Sequence, residues 1–135
     1  MLSVETIFVR MPNLETSMLI AIVDDDESVR SALEGMMQEA GFVTFACASA
    51  EEFLDSPRKR QTACLITDIR MPGVSGLELQ SRLNATWQRI PIIFITAHGD
   101  EDMRLQALRA GAVEFLAKPF DDVQLLDSVR AALNT

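Results

Sequence analysis

The sequence predicts an α/β fold in which a five-stranded parallel sheet is covered by helices on both faces. Five short apolar runs alternate with stretches of helical periodicity, which is a (βα)5 order. Several of these runs are continuously apolar, as expected for central parallel strands that are buried on both sides. A chain of 135 residues, 48% of them hydrophobic, supports one domain with one core.

The candidate strands are residues 19–23, 42–46, 64–67, 92–95 and 113–117. The second run is partly polar because Thr44 interrupts it, so we expect strand two to lie at an edge of the sheet. Right-handed crossovers between successive strands then give a doubly wound sheet. Such sheets bind their ligands outside the carboxyl ends of the strands, at the point where the strand order reverses.

The intervening segments show helical spacing and recognisable helix ends. Gly41 stops the first helix, and Ser49 with Glu52 forms a capping box that starts the second. The first and closing helices carry apolar stripes, formed by Val29, Leu33, Met36, Met37 and Ala40 in the first and by Leu126, Val129 and Leu133 in the last.

The fourth helix has a less regular pattern. Met103, Ala107 and Ala110 predict its buried stripe, which places Leu105 and Leu108 on the other side, facing solvent. Two interpretations of that leucine pair stay open. Isolated exposed leucines are ordinary, and a pair at this spacing also suits an anchor for a partner or for a second copy of the chain.

Charge and composition exclude several classes of protein. The net charge of −8 argues against direct binding of nucleic acid, which needs clustered Lys and Arg. No apolar run approaches the ~20 residues of a membrane span, and residues 1–17 lack the pattern of a secretory signal, so we expect no membrane partner and a cytoplasmic location. Cys47 and Cys64 form no CxxC pair and are expected to be reduced, structural thiols.

Residues 1–17 stand apart from the rest of the chain, since they show no sustained period and contain Pro12. They are interpreted either as a flexible tail, or an upstream start before Met18, or as a segment whose Ile7, Phe8 and Val9 dock on the domain or on a partner. The predicted division is a tail of residues 1–17 and a domain of residues 18–135.

Acidic residues and one lysine follow the predicted strands. Asp24 and Asp25 come after the first strand, Asp68 after the third, and Lys118 after the fifth. Taken singly, these are explained by helix N-terminal charge, a turn residue and a solvated loop lysine. Together they indicate one site, because neighbouring carboxylates raise each other's pKa unless a cation compensates. Oxygen ligands favour Mg²⁺, which commonly binds phosphate as well, and Lys118 supplies further positive charge.

Six motifs occur in order along residues 18–133: VDDDE at 23–27, DIRMPG at 68–73, Gly76, ITAH at 95–98, GA at 111–112 and KPF at 118–120. On these residues the chain resembles the receiver domains of two-component response regulators, and residues 96–100 are most similar to the FixJ-type subgroup. The resemblance implies a flavodoxin-like three-layer sandwich with the parallel strands in order 2-1-3-4-5.

The resemblance also implies a chemistry. Asp68 is expected to accept a phosphoryl group from the phosphohistidine of a sensor histidine kinase or phosphotransfer protein, becoming an aspartyl phosphate. Asp25 and Asp68 would ligate Mg²⁺ together with the Arg70 carbonyl, and Asp24 would hold the ion through water. Since phosphoryl transfer depends chiefly on positioning and electrostatics, Lys118 is expected to stabilise the charge of the phosphoryl group.

Further roles follow from the same resemblance. Thr96 would hydrogen-bond a phosphoryl oxygen and couple it to Phe115, an aromatic switch residue whose other interpretation is core packing. The Lys118–Pro119 peptide is expected to be cis. Arg70 and His98 occupy positions that tune dephosphorylation in relatives, although the favoured interpretation of His98 is an ordinary solvated histidine.

The expected output is a switched protein surface, and the chain is expected to be no enzyme beyond its own phosphorylation and autodephosphorylation. Helix 4, strand 5 and helix 5 would contact a downstream protein or form a homodimer. No helix-turn-helix motif precedes the end at Asn134 and Thr135, which predicts a single-domain regulator or the receiver part of a FixJ-type transcription regulator. The competing class is a haloacid-dehalogenase-like phosphatase with Asp24 as nucleophile, because Asp24 and Asp26 fit its DxD motif.

Overall fold

The computed structural model describes residues 18–86, 88–97 and 100–134, so the expectations for residues 1–17 and for His98 lie outside the described residues. The strands are β1 (Leu19–Val23), β2 (Val43–Cys47), β3 (Thr62–Asp68), β4 (Ile92–Thr96) and β5 (Glu114–Ala117). The helices are α1 (Glu27–Glu39), α2 (Ala50–Asp55), α3 (Gly76–Asn84), α4 (Glu101–Arg109) and α5 (Asp122–Leu133), with a 3₁₀ turn at Pro57–Gln61.

The five strands form one parallel sheet in the order β2-β1-β3-β4-β5, which confirms the predicted fold and the edge position of strand two. The strand order reverses between β1 and β3, where Val23 lies beside Thr67. The next residue along each strand is an aspartate, Asp24 or Asp68. The fold therefore brings two acidic side chains to the switch point of the sheet.

Helices cover both faces of the sheet, and each face carries its own buried cluster. Ile20 and Ile22 of β1 pack with α1 and α5, while Ala21 and Val23 face α2, α3 and α4. This alternation follows from the period of two in a strand. Each large side chain buried in these clusters contributes about 2 kcal/mol of hydrophobic stabilisation. Because the two clusters are closely packed, the carboxyl ends of the strands are held in fixed positions.

The end of α1 explains why β2 begins one residue later than predicted. Gly41 has a φ of 97°, and its amide donates to the carbonyl of Gln38 at 2.9 Å. The amide of Phe42 donates to the carbonyl of Met37 at 3.0 Å, and both of these side chains are buried. This is a Schellman closure, in which Phe42 belongs to the end of the helix rather than to the strand.

The capping box of α2 is present with one difference. The Ser49 hydroxyl accepts from the Glu52 amide at 3.1 Å, as predicted. The Glu52 carboxylate reaches one residue further back than expected and accepts from the amide of Ala48 at 3.0 Å. Two amides near the helix start are still satisfied, so the motif marks the correct end of the helix.

The predicted stripe of α4 needs correction. Ala107 is buried and Met103 packs against the core, but Ala110 is exposed because it is the C-cap, beyond the last turn that packs on the sheet. Leu105 and Leu108 are half-buried rather than solvent-facing. Long side chains on a helix lie back over the preceding turn, which covers part of their own surface.

The buried stripe of α5 is rotated by about one residue from the prediction. Val129 is buried as expected, but its fully packed neighbours are Leu125 and Ala132, while Leu126 and Leu133 are only partly buried. Both sets lie within the same broad apolar face, and the rotation at which the helix docks decides which residues occupy its centre.

Both cysteines are free and buried, which confirms the predicted structural thiols. Burial is the main cause that raises the pKa of Cys47 and of Cys64 to about 12, so neither forms a reactive thiolate at neutral pH. None of the helices in the described part of the chain is long and apolar enough to cross a membrane.

Candidate functional site

Three carboxylates converge at the carboxyl rim of the sheet. Asp24, Asp25 and Asp68 each place one oxygen within 4.8 Å of the others, as the sequence predicted. Asp24 is fully buried and Asp68 is 9% exposed, whereas Asp25 is exposed. The cluster thus has a buried floor and one acid open to solvent.

Asp24 is held on every side. Its amide donates to the carbonyl of Cys47 at 3.2 Å, extending the ladder between β1 and β2. Its Oδ1 accepts from the amide of Asp26 at 2.9 Å, and its carbonyl accepts from Arg30 Nη1 at 2.9 Å. Burial raises the pKa of this carboxyl above its ordinary value, against the lowering effects of the Asp26 amide and of Lys118.

Lys118 points into the cluster, which excludes its interpretation as a solvated loop charge. Its Nζ lies 3.5 Å from Asp24 Oδ2 and 3.3 Å from Asp68 Oδ2. Its amide donates to the carbonyl of Thr96 at 2.8 Å, and the Lys118–Pro119 peptide is cis, as the resemblance implied. One ammonium therefore lies between two carboxylates that come from different strands.

The loop after β3 holds Asp68 against the start of α3. The Ile69 amide donates to Asp68 Oδ1 at 2.6 Å, and the Thr67 hydroxyl donates to the Asp68 carbonyl at 2.9 Å. The Gly76 amide donates to the carbonyl of Ile69 at 2.8 Å, which closes the loop. Oδ2 of Asp68 accepts from Lys118 Nζ, so the two oxygens of this carboxylate have different partners.

Asp26 does not join the cluster. Its Oδ1 accepts from the amides of Ser28 at 2.9 Å and Val29 at 3.3 Å and from the Ser28 hydroxyl at 2.7 Å, so it is the N-cap of α1. The bond from the Ser28 hydroxyl, followed by these two amides, lowers the pKa of the Asp26 carboxyl. The helix N-terminal interpretation of the acidic run is therefore right for Asp26 and wrong for Asp24.

Thr96 and Phe115 lie on strands beside the cluster. Thr96 is buried at the end of β4, directly after Ile95, which pairs with Asp68. Phe115 is half-buried on β5, and its ring centroid lies 6.3 Å from that of Phe94. Since residues two apart on a strand share a face, Thr96 and the two rings lie on the same side of the sheet.

Arg70 follows Asp68 by two residues and its side chain is exposed. Together with Met71, Ser75 and Met103 it lines a depression of about 530 Å³ between the loop after β3 and α4. The depression is lined mainly by apolar side chains. The Arg70 side chain therefore faces this depression, on the loop that follows Asp68.

Arg30 is not among the residues predicted from the sequence, yet it donates to the main-chain carbonyl of Asp24 from the first turn of α1. The sequence offers only a weak signal for it: a cation near a helix N-terminus opposes the helix dipole, but this does not identify a partner for the cation.

The cluster fits a divalent cation. Its three candidate ligands are carboxylates, and hard oxygen donors of this kind suit Mg²⁺. Burial raises the pKa of Asp24 even though the Lys118 ammonium beside it acts in the opposite direction. A dication would supply the missing positive charge at the point where the three oxygens meet.

Comparison with known proteins identifies the family. Residues 20–130 match the response regulator receiver domain. Nodulation protein W of Bradyrhizobium diazoefficiens is 45% identical over 117 residues, which cover 87% of this chain and 52% of that protein. The transcriptional regulatory protein FixJ of Azorhizobium caulinodans is 40% identical, with 87% of this chain and 56% of that protein covered. This chain thus spans about half the length of these curated relatives.

Solved structures agree. The response regulator StyR superposes with a TM-score of 0.81 at 47% identity, covering 87% of this chain and 60% of that chain. The structure of FixJ-N gives a TM-score of 0.79 at 38% identity and covers 92% of this chain and 96% of that one. The fold and its strand order are those of these receiver domains.

The phosphatase alternative is not supported. Residues 20–130 match a receiver domain, and Asp26, the second acid of the DxD pattern, is the N-cap of α1 rather than a member of the cluster. The chain belongs to the response regulator receiver domain family of two-component systems.

Proposed function

We propose that Asp68 is the phosphoacceptor of this receiver domain and that the domain relays a signal by its phosphorylation. The observation that carries the proposal is the position of Lys118 Nζ, 3.3 Å from Asp68 Oδ2 and 3.5 Å from Asp24 Oδ2. An ammonium at this place meets the charge of a phosphoryl group on Asp68. The rim is reached from solvent through the side of Asp25.

The transfer joins an oxygen of Asp68 to phosphorus while the bond from phosphorus to the donor histidine breaks, and the electron pair of that bond returns to the imidazole. When bound, Mg²⁺ would neutralise charge on the phosphoryl oxygens, held by Asp24, Asp25, Asp68 and the Arg70 carbonyl. Lys118 would contact one phosphoryl oxygen, and the Thr96 hydroxyl would donate a hydrogen bond to a second phosphoryl oxygen. Catalysis in such a site is positioning and electrostatics, which a rigid sheet rim supplies.

The donor would be a sensor histidine kinase or a phosphotransfer protein, and the output a contact with a downstream protein. Movement of the Thr96 hydroxyl toward the phosphoryl group would change the packing of Phe115 and thereby the surface of α4, β5 and α5. This surface is where a target or a second copy of the chain would bind, and its exposed Val123 is 63% accessible. A modification that favours one of two packings shifts the population between them.

Labelling with acetyl phosphate and Mg²⁺ tests the proposal. We expect one acid-stable, base-labile phosphoryl group per chain, mapped by mass spectrometry to Asp68. Asp68→Asn should lose the label, whereas Asp55→Asn, at an exposed residue at the end of α2, should keep it. A label on Asp24, or turnover of phosphate esters, would contradict the phosphoacceptor role of Asp68.

Arg70→Ala is expected to shorten the lifetime of the aspartyl phosphate about 3-fold, a change of about 0.7 kcal/mol in the barrier, which is the size of an exposed charge interaction. The reason is that the exposed Arg70 side chain, two residues after Asp68, would screen the phosphoryl group from attacking water. The decay of labelled protein measures this directly. Arg89→Ala, an exposed arginine before β4, is the control, and an unchanged decay rate in Arg70→Ala would remove the side chain from the mechanism.

A further inference from the structure

Arg30 connects the first turn of α1 to the loop that carries two of the three acids. Its Nη1 donates to the main-chain carbonyl of Asp24 at 2.9 Å, and its own amide donates to the carbonyl of Asp26 at 3.0 Å. The residue is half-buried. These bonds close the short loop between β1 and α1 from the helix side.

The contact has a specific consequence for Asp25. The carbonyl of Asp24 belongs to a planar peptide unit whose other end is the Cα of Asp25. A donor that fixes this carbonyl therefore fixes the plane of the peptide and the position of the Asp25 Cα, from which the side chain leaves the loop. Asp25 is exposed, so packing contributes little to its orientation.

The remaining polar groups of Asp24 have other partners. Its amide bonds to Cys47, its Oδ1 to the Asp26 amide and its Oδ2 to Lys118. Arg30 is the donor to the main-chain carbonyl of Asp24, a residue with no exposed surface. A buried carbonyl without a hydrogen-bond donor is costly, so without Arg30 we expect the Asp24–Asp25 peptide to rotate toward another donor.

We propose that Arg30 is a positioning residue for the cation site: it orients the Asp24–Asp25 peptide so that both carboxylates face Asp68. The inference rests on the proposed function, since it concerns the ion that the acidic cluster would hold. Arg30 itself contacts neither the cation nor the phosphoryl group. Its effect is on how well the carboxylates are arranged before the ion binds.

Calorimetric titration of the full chain with MgCl₂ tests this role. Arg30→Ala is expected to raise the Mg²⁺ dissociation constant about 10-fold, the lower end of what residues that orient metal ligands contribute. Arg30→Lys should recover most of the affinity, because an ammonium can donate to the same carbonyl. Arg82→Ala, which removes an exposed ion pair with Glu78 on α3, should bind like the wild type.

A second readout separates positioning from general stability. With acetyl phosphate as donor, the Mg²⁺ concentration that gives half-maximal labelling should rise in Arg30→Ala, while the rate at saturating Mg²⁺ stays within about 2-fold of wild type. A lower melting temperature with an unchanged Mg²⁺ dissociation constant would overturn the positioning role. If Arg30→Ala does not fold, the same comparison is made with Arg30→Gln, because the glutamine side chain is too short to donate to the Asp24 carbonyl from the position of the guanidinium.

The two proposals fail differently. If the wild type shows no Mg²⁺ binding, or Asp68→Asn keeps its label, the proposed function is contradicted. If the wild type binds Mg²⁺ and Arg30→Ala binds it equally well, only the role of Arg30 is overturned.

Discussion

Gly76→Ala is expected to destabilise the domain by about 3 kcal/mol, the upper part of the usual range for overpacking. A methyl group at this position would contact the carbonyl oxygen of Asp68 and lie 2.9 Å from Cα of Ile69 and 3.1 Å from the carbonyl carbon of Asp68. These are main-chain atoms at the end of a central strand, so they cannot move aside as a flexible side chain would. The first turn of α3 and the loop after β3 must separate instead.

The same substitution should impair the site. The Gly76 amide donates to the Ile69 carbonyl at 2.8 Å, and Ile69 in turn holds Asp68 Oδ1. Displacement of this loop would shift the Asp68 carboxylate relative to Lys118. We therefore expect slower labelling by acetyl phosphate even at temperatures where the variant is folded.

Gly35→Ala is the matched control, because Gly35 lies within α1 and an added methyl group would have no atom within 4 Å beyond the adjoining backbone of its own helix and its two chain neighbours. It should stabilise the domain by about 0.5–1 kcal/mol through helix propensity and the lower entropy of the unfolded chain. Urea unfolding measures the free energy of unfolding of both variants, and thermal unfolding measures their melting temperatures. The melting temperatures should move in opposite directions, with Gly76→Ala lower by about 10 °C. Equal stability of Gly76→Ala and wild type would show that the loop accommodates the methyl group.

The fold could be predicted because its signals are local. Continuous apolar runs mark strands covered on both faces, and the site residues follow from the rule that parallel strands end at one edge of a sheet. The partly polar run containing Thr44 identified the edge strand correctly. Helix periodicity predicted which face of each helix is apolar, but not which residues of that face are most deeply buried.

The remaining details depend on tertiary contacts. The shift in α5 from Leu126 to Leu125 depends on the angle at which the helix docks, and the half-burial of Leu105 depends on how its side chain lies along its own helix. The contact from Arg30 to Asp24 requires the turn between β1 and α1 in three dimensions. Sequence spacing alone does not specify that a guanidinium will meet a carbonyl six residues earlier.

Asp24→Asn is expected to stabilise the metal-free domain at neutral pH by about 1 kcal/mol, within the range of single stabilising substitutions. Asparagine keeps an oxygen that can accept from the Asp26 amide, but it removes a charge from a fully buried position. The loss of the ion pair with Lys118 opposes this gain. Because burial prevails and raises the pKa of Asp24, we expect the removal of the charge to dominate.

The sign of the pH dependence follows from that raised pKa. A carboxyl whose pKa is higher in the folded state than its ordinary value of 3.8 favours folding when it is protonated. Its contribution is fully present below 3.8 and is lost as the pH rises through the folded-state pKa. The advantage of Asp24→Asn should therefore be absent in acid and develop as the pH is raised to neutrality. Thermal melting in EDTA at several pH values measures it.

Asp26→Asn is the control of opposite character, because the Ser28 hydroxyl and the backbone amides lower the pKa of Asp26. Its carboxylate stabilises the fold above the ordinary pKa and loses that contribution as the pH falls through the lowered value, so this variant should show no gain at neutral pH. A neutral-pH gain in Asp26→Asn equal to that in Asp24→Asn would show that overall charge, rather than burial of one carboxylate, is responsible.

Addition of Mg²⁺ should make the wild type more stable than Asp24→Asn, which reverses their order in the metal-free state. A ligand that binds only the folded state raises stability in proportion to the logarithm of its concentration over its dissociation constant. The wild type would gain this stabilisation, while Asp24→Asn, with one carboxylate fewer, should bind Mg²⁺ about 10- to 100-fold more weakly and gain little. The melting temperatures would then cross as Mg²⁺ is raised. Such a crossing means that the buried charge of Asp24 is maintained at a cost in stability because the site needs it to hold a cation beside Asp68.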